Sequence, residues 1–188
     1  MTTKQVKKRI VTDEFGQTFE LKTKLGEGGQ GIVCTTQFEN VLVKINTQND
    51  KQKKRQWGEH IRWLMQQSLE DMNVAKPFSR IAMSENSVGY VMELMDGLIP
   101  LQQFIDTTEE AMDGSEDSLL EYLASGGIKR RMQILSKLSR TLAELHAKGL
   151  AFGDLSPANI FISKQTPYSE VWLIDCDNIC INQRESYD

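Results

Sequence analysis

Cysteine and histidine are scarce in this chain. Its three cysteines, Cys34, Cys176 and Cys180, form no Cys-x-x-Cys pair and no even set. That argues against a disulfide framework and for a reducing compartment. The two histidines, His60 and His146, lie far apart and make a poor zinc set with three scattered cysteines. No apolar run approaches the ~18 residues that a membrane helix needs, so no membrane partner is expected. The basic start, with Lys4, Lys7, Lys8 and Arg9, is followed only by Ile10 and Val11. It therefore has no apolar signal-peptide core, and a cytoplasmic protein is expected. An excess of positive charge is absent too: 22 Lys and Arg face 26 Asp and Glu, for a net charge of -4. This balance argues against a nucleic-acid partner.

What is present is an ordinary globular composition, 39% hydrophobic and 26% charged over 188 residues. That length fits one domain or two small lobes and needs no metal or disulfide staple. The pattern divides near residue 95. Residues 1–15 read as a flexible basic arm. In residues 16–95, Phe19–Leu25 alternates apolar and charged residues like a half-buried strand, Ile32–Phe38 resumes strand character, and Val41–Ile45 is a third, more apolar strand. Together they predict an antiparallel meander. Trp57, Ile61, Leu64 and Met65 form one helical stripe within 51–70. Ile81–Met83 and Val88–Leu94 are two further strands. In residues 96–188, Leu101–Ile105 predicts a short helical turn, and the acidic stretch Asp106–Asp117 a solvated loop. Ile128, Met132, Leu135, Leu138, Leu142 and Leu145 recur at helical spacing and predict an amphipathic helix that forms the spine of this half.

Four segments carry possible chemistry. Gly26-x-Gly28-x-x-Gly31-x-Val33 lets backbone approach phosphate oxygens and offers N–H donors to anions. Alone it is weak and fits a plain Gly-rich hairpin. Strand residues follow it, which disfavours a Rossmann turn, and no Gly-Lys-Ser/Thr follows, which excludes a Walker loop. Lys44 sits inside the apolar strand Val41–Ile45, where an unpaired ammonium is costly. It either snorkels at a strand edge or reaches a phosphate under the glycine turn. Glu59 is the leading candidate for its carboxylate partner and Glu70 the second, set against a plain surface pair Glu59–Arg62. Asp154 and Asn159, with Pro157 between them, offer a carboxylate base and an amide oxygen for Mg²⁺, or simply build a turn. Asp175 directly follows the buried-looking run Val171–Ile174 and either is suited to a metal ion bridging phosphates or simply ends a strand at a polar loop.

These segments, in this order, resemble the protein kinase superfamily over about Phe19–Asn178. The Gly-Asp-Leu-Ser-Pro-x-Asn string at 153–159 and Leu-Ile-Asp-x-Asp-Asn at 173–178 look most like an atypical bacterial serine/threonine kinase branch, whose members are often associated with phosphatase-type partners. The resemblance implies an α+β, bilobal, kinase-like fold. A five-stranded antiparallel N-lobe would join a partial, mostly helical C-lobe. It also implies ATP and Mg²⁺ as cofactors and transfer of the γ-phosphoryl group to a hydroxyl. Gly26, Gly28 and Gly31 would cover the phosphates and Lys44 would hold them, with Glu59 as its partner. Met92 would be the gatekeeper, and the backbones of Glu93 and Met95 would bond adenine. Leu25, Val33, Leu42 and Phe161 would sandwich the ring. Asp154 would be the catalytic base, with Asn159 and Asp175 as metal ligands.

The departures from the family pattern are specific. Phe152-Gly153 replaces the usual His-Arg, Ser156 replaces the usual Lys, and Asp175-Cys176-Asp177 replaces Asp-Phe-Gly. They leave an alternative open: a nucleotide-binding pseudokinase or regulatory module with no phosphotransfer. Cys176 reads as a small space-filler in preference to a redox gate. Only thirteen residues follow Asp175, and no Ala-Pro-Glu motif appears. The chain is therefore expected to be the N-terminal part of a longer kinase, or else a minimal one whose missing platform a partner supplies; an unidentified protein substrate or regulatory partner is expected in either case. In the first case the region Val171–Ile181 is expected to expose apolar surface.

Overall fold

The computed structural model describes residues 9–28, 31–84, 87–111 and 116–181. The chain forms two compact units. The first comprises residues up to Gln67 together with Lys76–Met95; the second comprises Ser68–Ala75 and the chain from Asp96.

The first unit begins with the hairpin β1 (Arg9–Thr12) and β2 (Thr18–Leu21). Its turn is closed by Asp13, whose Oδ1 accepts from the Phe15 and Gln17 amides at 3.0 and 2.8 Å. The flexible arm expected over 1–15 is thus strand and turn from Arg9 onward, because Val11 has a core to enter; residues 1–8 lie outside the described residues. A five-stranded antiparallel sheet follows, in the order β3-β4-β5-β7-β6. Its strands are β3 (Lys24–Gly28), β4 (Gly31–Thr35), β5 (Val41–Asn46), β6 (Ser79–Ser84) and β7 (Ser87–Glu93). The single strand expected over Phe19–Leu25 is divided at Lys22–Thr23, so its two parts enter different sheets.

Period-two alternation sorts β5 between two cores. Val43 and Ile45 face one cluster with Val11, Phe19, Ile81 and Val91, which packs the β1–β2 hairpin on that face. Leu42 faces the other, with Tyr90, Met92 and Ile61. Ile61 belongs to α1 (Lys51–Leu64), which is capped by Asp50 through the Gln52 and Lys53 amides. Such a cap stabilises a helix start by about 1 kcal/mol. The Trp57–Met65 stripe lies against the sheet, with the Trp57 ring stacked on Tyr90 at 5.7 Å.

The second unit holds a three-stranded antiparallel sheet in the order β11-β10-β8, from β8 (Leu98–Pro100), β10 (Ile160–Ser163) and β11 (Val171–Leu173). The Ser68–Ala75 segment joins its edge: the Leu173 amide donates to Asn73 O at 2.9 Å and the Ala75 amide to Leu173 O at 2.8 Å. A small ladder pairs β9 (Leu150–Phe152) with β12 (Ile179–Ile181). The helices are α2 (Leu101–Ala111), α3 (Glu116–Ala124) and α4 (Gly127–Ala147). Most of the acidic stretch Asp106–Asp117 is therefore helical and not loop; Glu is a good helix former and needs only one buried flank. Residues 112–115 lie outside the described residues.

Two expectations about apolar surface are corrected. Val171, Leu173 and Ile179 are buried, so most of the Val171–Ile181 apolar surface is covered within the second unit. The predicted spine stripe on α4 is instead open at its N-terminal half: Ile128, Met132 and Leu135 are more than half exposed, while Arg130 and Ile134 are buried. The stripe turns inward only toward Leu145.

Candidate functional site in each unit

In the first unit the sheet register sets Gly26, Val33, Lys44 and Tyr90 in one row across β3, β4, β5 and β7. Lys44 is only 4% exposed and shares its strand face with Leu42 and Asn46. A lysine at such a position is tolerated only where its ammonium meets polar company. Val33 is half-buried beside that row, and Met92 is buried in the Leu42–Tyr90 cluster. Leu25 is exposed at the bulge between Lys24 and Gly26. Glu93 ends β7 opposite Val41 and is exposed, while Met95 is half-buried after it.

The three glycines of the turn differ. A Cβ on Gly31 would lie 2.2 Å from Ile45 O, so the close approach of β4 to β5 itself requires glycine there. A Cβ on Gly26 or Gly28 would meet nothing within 4 Å, and neither residue has a positive φ. Packing and backbone conformation therefore give no reason for those two glycines. Gly29 and Gln30, at the tip, lie outside the described residues.

Glu59 does not stand beside the Lys44 row. It lies on the side of α1 opposite the buried Gly58, Ile61 and Leu64, and its Oε2 accepts from Arg62 Nη1 at 3.2 Å on the surface. Helix phase explains the correction: positions two before Ile61 point away from the sheet. Glu70 follows the helix, is exposed and belongs to the second unit.

In the second unit the chemistry-bearing residues are tied by hydrogen bonds on irregular backbone. Asn159 Nδ2 donates to Asp154 O and to Asp154 Oδ2, each at 3.0 Å. With its NH₂ committed to Asp154, the Asn159 amide oxygen is left as an acceptor. Asp154 itself is exposed. The Asn159 carbonyl accepts from the Ile174 amide at 3.0 Å, which links this loop to the residue before Asp175. Asp175 has φ 61° and ψ 45°, the left-handed region, and is the one non-glycine with positive φ among the described residues. Such a conformation costs roughly 1–2 kcal/mol and persists where its surroundings hold it. A 3₁₀ turn (Cys176–Asn178) does so here: Asn178 Nδ2 bonds Asp175 Oδ2 at 3.2 Å, and the Asn178 amide bonds Asp175 O at 3.2 Å. Asn178 O in turn accepts from the Gly153 amide at 2.9 Å, next to Asp154. A Cβ at Gly153 would come within 2.9 Å of that oxygen. Cys176 is fully buried, as a space-filler would be. Phe161 is half-buried on β10, on the sheet face opposite Ile160 and Ile162.

Sequence reasoning gave no role to Asn178. The Asp-x-x-Asn spacing of a short turn was the available signal. Among the described residues no group of three or more His, Cys, Asp or Glu gathers as a metal cluster, and no helix is long and apolar enough to cross a membrane.

Comparison with known proteins agrees on one superfamily. The chain is 28% identical over 153 residues to the serine/threonine-protein kinase mos of Ciconia nigra, covering 75% of this chain and 74% of the relative. It is 26% identical over 149 residues to the serine/threonine-protein kinase YabT of Bacillus subtilis (strain 168), covering 79% of this chain and 39% of the relative. Among solved structures it resembles vaccinia related kinase 3 with a TM-score of 0.56 at 16% identity, covering 95% of this chain and 53% of the other. The BubR1 kinase domain gives a TM-score of 0.56 at 17% identity, with 96% and 52% covered. The chain thus spans about half the length of the solved kinases it matches, and the fold is the α+β kinase-like fold. A family profile matches residues 52–184, well over half of the sequence, and on that match the chain belongs to the lipopolysaccharide kinase (Kdo/WaaP) family within the protein-kinase-like superfamily.

Proposed function

We propose that the chain is an ATP-dependent phosphotransferase that moves the γ-phosphoryl group to a hydroxyl. The observation that carries the reading is the hydrogen-bonded set Asp154–Asn159 and Asp175–Asn178 in the second unit. Asp154 has one carboxylate oxygen steadied by Asn159 and is open to solvent, as a base that must meet an acceptor requires. It accepts the hydroxyl proton as the new O–P bond forms and the bond to ADP breaks. In the first unit, Lys44 binds phosphate oxygens, and Gly26 and Gly28 let backbone N–H groups approach them. Leu25, Val33, Leu42, Met92 and the backbones of Glu93 and Met95 receive the adenine.

The donor set fits Mg²⁺. Asp175 supplies a carboxylate and Asn159 an amide oxygen, and Mg²⁺ is commonly held by one or two such groups completed by phosphates and water. When bound, the ion neutralises charge on the transferring phosphoryl group.

The acceptor is the finer question. The family's name, lipopolysaccharide kinase, supports a sugar hydroxyl, and the names of the curated relatives support serine or threonine. The test is label transfer from γ-labelled ATP with Mg²⁺, offered in parallel to a lipopolysaccharide core saccharide and to casein. Transfer that disappears with Asp154→Asn supports the reading, and the labelled product names the acceptor class. Saturable ATP binding with no transfer to either acceptor, or to the chain itself, overturns it in favour of a nucleotide-binding module.

A further inference from the structure

A cavity of about 210 Å³ opens within the second unit, lined in part by Phe104, Thr108, Tyr122, Ser125, Arg130 and Lys164. It far exceeds the ~10–15 Å³ that admits a single water. Its wall contains a buried cation. Arg130 is 4% exposed; its Nη1 donates to Ser125 O at 3.2 Å and its Nη2 to Ser163 O. Its Nε has no hydrogen-bond partner among the described residues. No carboxylate pairs with it among the described residues either; its other close neighbour is the Phe104 ring, 5.2 Å from Cζ.

The surrounding backbone accommodates this side chain. Gly126 sits at φ +95°, and a Cβ there would lie 2.7 Å from Arg130 Cβ and 2.8 Å from Cδ. Further positive charge stands close by. Lys164 lines the cavity, and Arg131 Nη2 bonds the lining Thr108 Oγ1 at 2.8 Å with its Cζ 4.4 Å from the lining Tyr122 ring. Glu121 is the acid in the lining. Burial, and then the neighbouring Arg131, push the Arg130 pKa below its ordinary value, although a guanidinium stays protonated at neutral pH. A buried cation in a cavity wall, with no carboxylate beside it among the described residues, is stabilised by an anion that enters the cavity.

We propose that this cavity is a binding site for a phosphate group, free or as the terminal ester of a small metabolite. Arg130 supplies buried positive charge in the wall, and Lys164 adds charge at the rim. The cavity's lining does not include Asp154, Asn159 or Asp175, and the proposal does not depend on phosphotransfer.

The test titrates the full chain with inorganic phosphate and with glycerol 3-phosphate at constant ionic strength, following the melting temperature. A saturable rise is expected. Lys164→Met should raise the half-saturating concentration at least tenfold, and Glu121→Gln should lower it severalfold. Both residues are exposed, so these variants keep the test decisive should Arg130→Met fail to fold. Tighter binding of the ester identifies a metabolite site, and equal binding a site for the free ion. No saturable rise overturns the proposal. So does a rise that survives Lys164→Met and Glu121→Gln unchanged but is lost in Lys44→Met, since the phosphate then sits at the Lys44 row.

Discussion

Lys44 and the Asp154–Asn159–Asp175 set are held by opposite means. Lys44 occupies a regular strand, aligned by ladder register with Val33 and Tyr90 and buried by its neighbours. Asp154, Asn159 and Asp175 sit on turns, one of them in left-handed backbone, and are fixed by side-chain hydrogen bonds. Strand register places the lysine; a side-chain network on turns places the carboxylates. The difference predicts different failures. Damage to the first unit should appear as lost stability, and damage to the second as lost chemistry in a folded protein.

The largest expected effect tests the second half of that contrast. Asp154→Asn removes the base while keeping its shape and the backbone bond from Asn159. The transfer rate should fall by about 10²–10⁴-fold, the range of general-base contributions. The melting temperature should stay within a degree or two, because Asp154 is exposed. A large drop in melting temperature would mean that the network is chiefly structural.

Gly31→Val tests the first half. Its Cβ has no room beside Ile45 O, so β4 and β5 must separate, at a cost of about 3 kcal/mol or more. Gly28→Ala should cost under about 1 kcal/mol, since open space surrounds it, yet should weaken ATP binding severalfold. Equal destabilisation by both would remove the distinction between a packing glycine and a phosphate-facing one. Thermal denaturation with and without ATP reads both quantities.

Asn159→Ala lies between the two modes. It deletes a bond to a carboxylate, worth roughly 1.5–3 kcal/mol where well ordered and less at an exposed group like this one. Melting should therefore fall slightly and transfer substantially. A fall in stability without a fall in rate would assign Asn159 to turn-building alone.

The contrast also explains what could be read from sequence. The sheet was legible because the nearly continuous apolar run Val41–Ile45 reports burial on both faces, and the glycine turn fixes where β3 meets β4. The order Gly-rich turn, strand Lys, Asp-x₄-Asn, strand-end Asp was legible as chemistry. The leading partner named for Lys44, Glu59, was misjudged, because helix phase turns it away from that row toward Arg62. The role of Asn178 was not legible, since a bond that stabilises left-handed backbone leaves no periodic trace. The β1–β2 hairpin was missed because its basic, polar start outweighed one inward residue, Val11.

The smallest predicted effect tests the limit of periodicity on α4. Its apolar stripe named a helix correctly, but a stripe reports which residues share a face and not whether anything covers that face. Met132 and Leu135 carry that stripe and are more than half exposed, whereas Ile134, one position before Leu135, is only 2% exposed. Met132→Gln and Leu135→Gln should each change the stability of this chain by no more than about 0.5 kcal/mol, as surface substitutions do. A buried spine would instead lose about 2–5 kcal/mol on truncation of a comparable side chain. Chemical denaturation of the two variants separates these outcomes, because the burial that decides them is set by neighbouring elements and not by the period of the helix.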